Sequence, residues 1–334
     1  MSIFDIELEA TAPAADLRRT AARRLGRLAR AALSAVAVVW VAASFTFLVQ
    51  ALLPGDRAVI LINIVAGTIT NPTPEQIAAV NAQYGFDAPL YVQYLRYIGG
   101  LAVGDLGMSY LQHKPVLEVI GAQVLPTVVL ALSALATAWM IAIALTLAAA
   151  GRPGFASRLA TGAQILLATA PPYWLGTLLL VLFAVKLGLF PVEGRNSLAG
   201  LVLPTLSLAL PLAGFIGQAI QDEFARVLEQ PFVTSARTRG MSDLGVRLGH
   251  VLRHAVLPGI SLSGWAVGKL LSGAVLVEAV FARQGIGGIL VNATSARDVP
   301  VVSGIVVLSA AAYVIINMGV DAIYRLVDRR IALP

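Results

Sequence analysis

Residues 222–258 read DEFARVLEQPFVTSARTRGMSDLGVRLGHVLRHAVLP, a polar interval set between long apolar runs in the second half of the chain. Phe232 to Arg239 is predicted to form one short helix. Gly240 is placed to end it, because glycine takes the left-handed conformation after a helix at little cost. A second basic stretch, Arg247 to His254, leads to Leu257-Pro258, where the next apolar run begins. A short helix held between two membrane spans and carrying Arg237 and Arg239 has the character of a docking element. It has no catalytic group of its own.

The rest of the composition sets the solvent. The 334 residues are 58% hydrophobic and only 13% charged, with a mean hydropathy of +0.81. Soluble domains carry about 25% charged residues, so this is a polytopic, all-α membrane protein in contact with the lipid bilayer. There is no cysteine, which excludes disulfides and thiolate metal sites. The net charge of +6 does not imply nucleic acid, because Lys and Arg also mark cytoplasmic loops.

Six transmembrane helices are predicted, over 31–53, 124–150, 159–187, 200–221, 259–282 and 300–323. Each is long enough for a hydrocarbon core of about 30 Å. The first is too long for a signal peptide, and Leu52-Leu53-Pro54-Gly55-Asp56 makes a poor cleavage site. The third is interrupted by Pro171-Pro172, where a kink is expected. In the fifth, Gly264, Gly268 and Gly273 have the small-residue spacing that permits close helix approach. Ahead of the first span, residues 1–30 form a cytoplasmic basic extension in which Leu17, Ala21, Leu25 and Leu28 recur at helical spacing. Residues 54–123 are read as an external segment with interfacial helices. Thr73-Pro74-Glu75-Gln76 starts one of them, with a capping hydroxyl and an early proline. Tyr91, Tyr94 and Tyr97 suit a second, since aromatic rings favour the interface. The five-helix core then covers 124–323 and includes the loop at 222–258; the cytoplasmic tail covers 324–334. Intervals read as cytoplasmic hold 16 of the 24 Lys and Arg, and those read as external hold seven. This bias places both termini inside.

On these residues the chain resembles the permeases of the dipeptide/oligopeptide/nickel import family of ABC transporters. Thr234-Ser235-Ala236 stands where that family carries its Glu-Ala-Ala triplet. Gly240 follows after three residues, and Leu257-Pro258 closes the loop at the family spacing. The first two triplet positions depart from the pattern, so the alanine and glycine carry the match. Pro54-Gly55-Asp56, Gly85, Pro89, Gln93-Tyr94-Leu95, Gly104-Asp105-Leu106-Gly107, Glu278, Phe281, Gly285-x-Gly287 and Asp298-Val299-Pro300 follow the family order. In the tail, Asp328 and Arg330-Ile331 do likewise, with Arg329 where the family usually has proline. The resemblance runs from about residue 31 to 331.

The resemblance implies a type I importer permease in a bacterial plasma (inner) membrane, without enzymatic chemistry of its own. The loop would form a coupling helix seated on a cytoplasmic ATPase. Partners would be a second permease subunit, two ATP-binding subunits and an extracytoplasmic solute-binding protein. ATP and Mg would be bound by the ATPases. The cargo would be di- or oligopeptides, or a related small solute such as a nickel chelate. Two other classes remain open. An ion-gradient-driven secondary transporter would need paired intramembrane acids, and apart from Glu278, and Asp321 at the very end of the sixth, the spans contain no acid. A membrane-embedded assembly or receptor subunit would leave the docking loop unexplained.

Two motifs are set aside. Gly264-Trp-Ala-Val-Gly268-Lys269 has one residue too few for a phosphate-binding loop and lies inside a span. His250 and His254 share a helical face, but Val251 stands where a zinc protease has glutamate, and no third ligand is near in sequence. Lys269 and Glu278 are the candidate residues of the translocation path. A charge at mid-span costs about 2.5–3.5 kcal/mol, so such residues face a bundle interior or a wet cavity. Lys269 either favours an anionic group of the cargo, such as a peptide carboxylate, or is held by neighbouring carbonyls. The two are nine residues apart, on opposite helix faces.

Overall fold

The computed structural model describes residues 26, 29–30, 32–52, 54–68, 71–151, 154–193 and 197–327. Nearly all of the basic extension at 1–30, Leu53, Arg152-Pro153, Gly194 and the tail landmarks from Asp328 onward lie outside them. The first long helix of the described residues is α1 (Ala32–Leu52), apolar and long enough to span. Three shorter helices follow: α2 (Arg57–Ala66), α3 (Pro74–Tyr84) and α4 (Leu90–Ala102). The core then consists of α5 (Val116–Ala149), α6 (Phe155–Thr169), α7 (Pro172–Leu179) and α8 (Leu198–Leu228). Three short helices, α9 (Pro231–Thr238), α10 (Asp243–Val246) and α11 (Leu252–Ala255), lead into α12 (Leu257–Val280), α13 (Ile286–Ser295) and α14 (Val299–Val327).

Five of these helices are long and apolar enough to cross a membrane, and α6 with α7 makes a sixth if counted as one span. That pair departs from the kink expected at Pro171-Pro172: the two axes meet at 108°. Pro171 caps α7 and Pro172 sits in its first turn, so neither nitrogen can continue the ladder of α6, and two adjacent prolines break a helix more completely than one. After Leu179 the helix widens to π geometry over Leu180–Lys186. Helix lengths also exceed the apolar runs. α5 starts at Val116 rather than 124, and α8 continues to Leu228 because Phe224 and Val227 remain buried past the last apolar stretch. The apolar run marks where lipid is, not where backbone hydrogen bonds stop.

The core is built around α8, which packs on α5, α6, α7 and α12. Leu130, Ala134, Ala138 and Ala142 of α5 meet Leu208, Leu212, Ile216 and Ile220 of α8, with Ala266, Leu270 and Ala274 of α12 against them. Small residues set the spacing. At Gly214, a Cβ would lie 2.5 Å from the backbone oxygen of Gln164 and 2.5 Å from the nitrogen of Ala168, so α6 and α8 cross in backbone contact. At Gly268, a Cβ would lie 2.8 Å from the Tyr313 ring of α14. This is the close approach that the glycine spacing of the fifth span predicts.

The first helices attach more lightly. The predicted capping box of α3 is present, with Thr73 and Gln76 exchanging side-chain and backbone bonds. The aromatic rings of α4 meet α1: Phe47 packs edge-on against Tyr94 and stacks on Tyr97, with centroids 5.3 and 5.8 Å apart. Gln50 of α1 donates to Ser303 of α14. Replacing Gly214 with alanine is expected to lower stability in detergent by about 1–3 kcal/mol, because backbone cannot yield as a side chain does. Gly121, with nothing within 4 Å of its added Cβ, is the control, and thermal unfolding of the two alanine variants checks the difference.

Candidate functional site: the polar loop and the two ends of the bundle

The loop at 231–256 folds against the base of the bundle. Helix α9 starts at Pro231, whose missing N–H is not needed in a first turn. Val233 and Ala236, three apart, are fully buried in the same cluster as Ile220, Phe224 and Val227 of α8. Thr234, Ser235, Arg237 and Arg239 are exposed. The expected glycine stop is present. Gly240 has φ of +85°, its N–H donates to Arg237 O at 2.9 Å, and Met241 N–H donates to Ala236 O at 3.3 Å. That pair of bonds is the Schellman closure.

Arg247 fixes this helix to the spans. Its guanidinium is buried. Nε donates to Asp243 Oδ2 at 2.6 Å, and Nη1 donates to the carbonyl of Ala150, just past α5, also at 2.6 Å. The same guanidinium lies over the Phe224 ring of α8 at 5.9 Å. Asp243 reaches the other way, accepting from Arg237 Nη2 at 3.2 Å. A chain of contacts therefore runs from α9 through Asp243 and Arg247 to α5 and α8. Arg247's bond, more than that of Arg237, holds the Asp243 carboxyl below the usual aspartate value near 3.8. Leu257 and Pro258 form the first turn of α12, so the loop ends as it enters the next span. His254 packs its ring on Phe232 at 5.5 Å, and a π turn at Arg247–Val251 contains His250. Among the described residues no three His, Asp or Glu side chains gather at metal-ligand spacing.

The two candidate path residues lie on opposite faces of α12. Lys269 is exposed, with its ammonium 4.9 Å from the centre of the Trp265 ring. Both line a cavity of about 240 Å³ with Phe215 and with Thr169 to Pro172 at the broken span. Gly264 to Lys269 is continuous helix, so it offers no loop to hold phosphate. Glu278 is fully buried. Thr127 Oγ1 of α5 donates to its Oε1 at 2.7 Å and Gly287 N–H to its Oε2 at 2.7 Å. It clamps α5, α12 and the start of α13. The glycines there leave room for the carboxylate: a Cβ on Gly285 would lie 2.2 Å from it.

Asp298, one of the family landmarks in the sequence, makes a second clamp. Its carboxylate accepts from Ser109 Oγ and from the N–H groups of Tyr110 and Leu111. Ser109 carries no sequence signal beyond following Gly104-Asp105-Leu106-Gly107. Left-handed Gly104 and Gly107 turn the chain so that it meets the mouth of α14.

Comparison with known proteins follows this geometry. Residues 140–333 match the family described as the binding-protein-dependent transport system inner membrane component. Residues 25–132 match the N-terminal part described for the same kind of component. The chain belongs to this family. It is 34% identical over 297 residues to the glutathione transport system permease protein of Salmonella paratyphi A, covering 89% of this chain and 95% of that one. A Brucella abortus protein provisionally named a peptide transport system permease is 33% identical over 306 residues, covering 89% and 96%. The chain is thus a multi-pass inner-membrane permease component of an ABC transport system and not an enzyme. The permease region matched at 140–333 contains the loop, Lys269, Glu278 and Asp298.

Replacing Arg247 with methionine is expected to cost about 1–3 kcal/mol, because Asp243 and the buried Ala150 carbonyl lose their donor. Hydrogen exchange should speed up across 231–247 and leave the centre of α8 unchanged. Because the folded Asp243 value is lowered, its contribution is fully present above about pH 4 and is lost as pH falls through that lowered value. Protection of α9, corrected for intrinsic exchange, should therefore be flat between about pH 5 and pH 8.

Proposed function

We propose that this permease carries small peptides inward across the membrane, with α9 as the element that an ATPase subunit grips. The observation that carries this reading is the build of α9. One face is buried in the core cluster of the bundle, and Asp243 and Arg247 tie the helix to the end of α5, while the other face presents Thr234, Ser235, Arg237 and Arg239 to solvent. A helix so anchored moves with the spans when it is pushed. Ala236 and Gly240 hold it in shape, and Leu257-Pro258 passes the motion into α12.

In this reading the loop end of the bundle and both termini face the cytoplasm, in accord with the Lys and Arg bias. The complex contains a second permease subunit, two ATP-binding subunits that hold ATP and Mg, and a solute-binding protein on the far side. The peptide cargo rests on the relatives: glutathione is a tripeptide, and the Brucella relative carries a peptide-transport name. Lys269 lines the path. The open stripe of α12 formed by Trp265, Lys269, Ser272 and Leu276 is too polar to face lipid, where a lysine costs about 2.5–3.5 kcal/mol. Glu278 serves the path from behind, by holding α13 in place. ATP-driven closure of the ATPases would then bias the spans between outward-open and inward-open states.

The test is co-purification from mild detergent through a C-terminal tag. The wild type should bring ATP-binding subunits and a second permease. An Arg237→Glu, Arg239→Glu double variant should keep the permease, lose the ATPases and import peptide about tenfold less or worse, as charge reversal at a docking face does. A wild type that comes out alone, under conditions that preserve complexes, overturns the reading.

A further inference from the structure

The end of the bundle opposite the loop contains a buried cation with two donors that the fold leaves without a hydrogen bond. Arg283 follows α12 and is 6% exposed. Its Nε and Nη1 are buried and have no hydrogen-bond partner. The Glu278 carboxylate nearby is occupied by Thr127 and Gly287. A guanidinium has five N–H donors and no acceptor, and leaving buried donors unsatisfied is costly. The local backbone is strained as well. Ala282 has φ of +45°, a conformation that favours glycine. With it, Arg283 N–H closes back on Glu278 O at 2.8 Å. This turn sets where the Arg283 side chain departs.

Arg283 stands in the wall of two cavities. The smaller, about 290 Å³, is lined mainly by apolar residues of α5 and α8. The larger, about 430 Å³, lies between α12, α13 and α5 and gathers polar groups: Gln123, Gln284, Asn292 and Glu278, whose carboxylate oxygens are held by Thr127 and Gly287. Gln123 Oε1 is buried there with no partner. Its volume is within the range of small-ligand sites. A guanidinium with two unfilled donors and an amide oxygen without a donor ask for one ligand that carries both an anion and an N–H donor.

The geometry points to a receiving site for a short peptide in this cavity, with Arg283 binding the terminal carboxylate and Gln123 accepting from a peptide N–H. The site is distinct from Lys269, which lines the cavity at the broken span. It rests on the peptide-import reading and places the first contact of the cargo with this subunit at the end facing the solute-binding protein. Guanidinium suits this role because it pairs with carboxylate through two parallel bonds, which an ammonium cannot reproduce.

The test compares two cargoes in the assembled transporter: a dipeptide with a free carboxylate and the same dipeptide as its C-terminal amide. Uptake by Arg283→Leu, Arg283→Lys and Gln123→Leu is divided by wild-type uptake for each cargo, so that the preference of the solute-binding protein cancels. For Arg283→Leu the free-carboxylate ratio should fall about tenfold or more, and for Arg283→Lys by less, with the amide ratio near one. Gln123→Leu should lower both ratios. Equal loss of both cargoes in the Arg283 variants, or no loss, overturns the site. Should Arg283→Leu fail to assemble, Arg283→Lys and direct binding of the two peptides to the purified wild-type complex decide. The free-carboxylate form should then bind about tenfold more tightly, and equal binding overturns the site. If the wild-type complex carries neither peptide, it is the peptide reading that falls.

Discussion

Arg247 is buried at the base of the bundle and donates to Asp243 on one side and to the carbonyl of Ala150 on the other. Helix ends leave carbonyls without partners, and the Ala150 carbonyl lies buried just past α5. A charged donor from a distant segment satisfies it, and in doing so fixes the polar loop to a span. The packing of Val233 and Ala236 against α8 depends on the same placement. A buried guanidinium and an apolar face together fix this loop to the bundle along its length, and not by its ends alone.

The opposite end is organised by two buried carboxylates. Glu278 accepts from α5 and from the start of α13, and Asp298 accepts from the loop before α5. Each takes hydrogen bonds mainly from backbone N–H groups or hydroxyls, so each closes a junction between helices that sequence keeps far apart. Against the Glu278 clamp lies the cavity with Arg283 and Gln123. The bundle therefore has a polar loop fixed to the spans at one end, a frame around a polar cavity at the other, and a broken span with Lys269 between them.

The sequence by itself determined the class of the protein and the character of its loop. Apolar runs of span length, low charge and the Lys and Arg bias follow from solvent physics that acts residue by residue. Gly240 could be placed at a helix stop because its φ preference is local, and Thr73 at a helix start because capping is local. What only the tertiary structure decided are the long-range pairings. Asp298 has no visible partner in the sequence until the chain turn at Gly104 and Gly107 brings Ser109 to it. Arg247 reads as one more cytoplasmic charge until α5 and α8 enclose it, and Arg283 as an external charge until α13 folds over it. The prolines at 171 and 172 mark the break in the third span, but its angle of 108° is set where α7 packs on α8. Partners separated by tens to hundreds of residues leave no periodic signal in a single chain, because burial and hydrogen bonding at these sites are properties of the assembled helices.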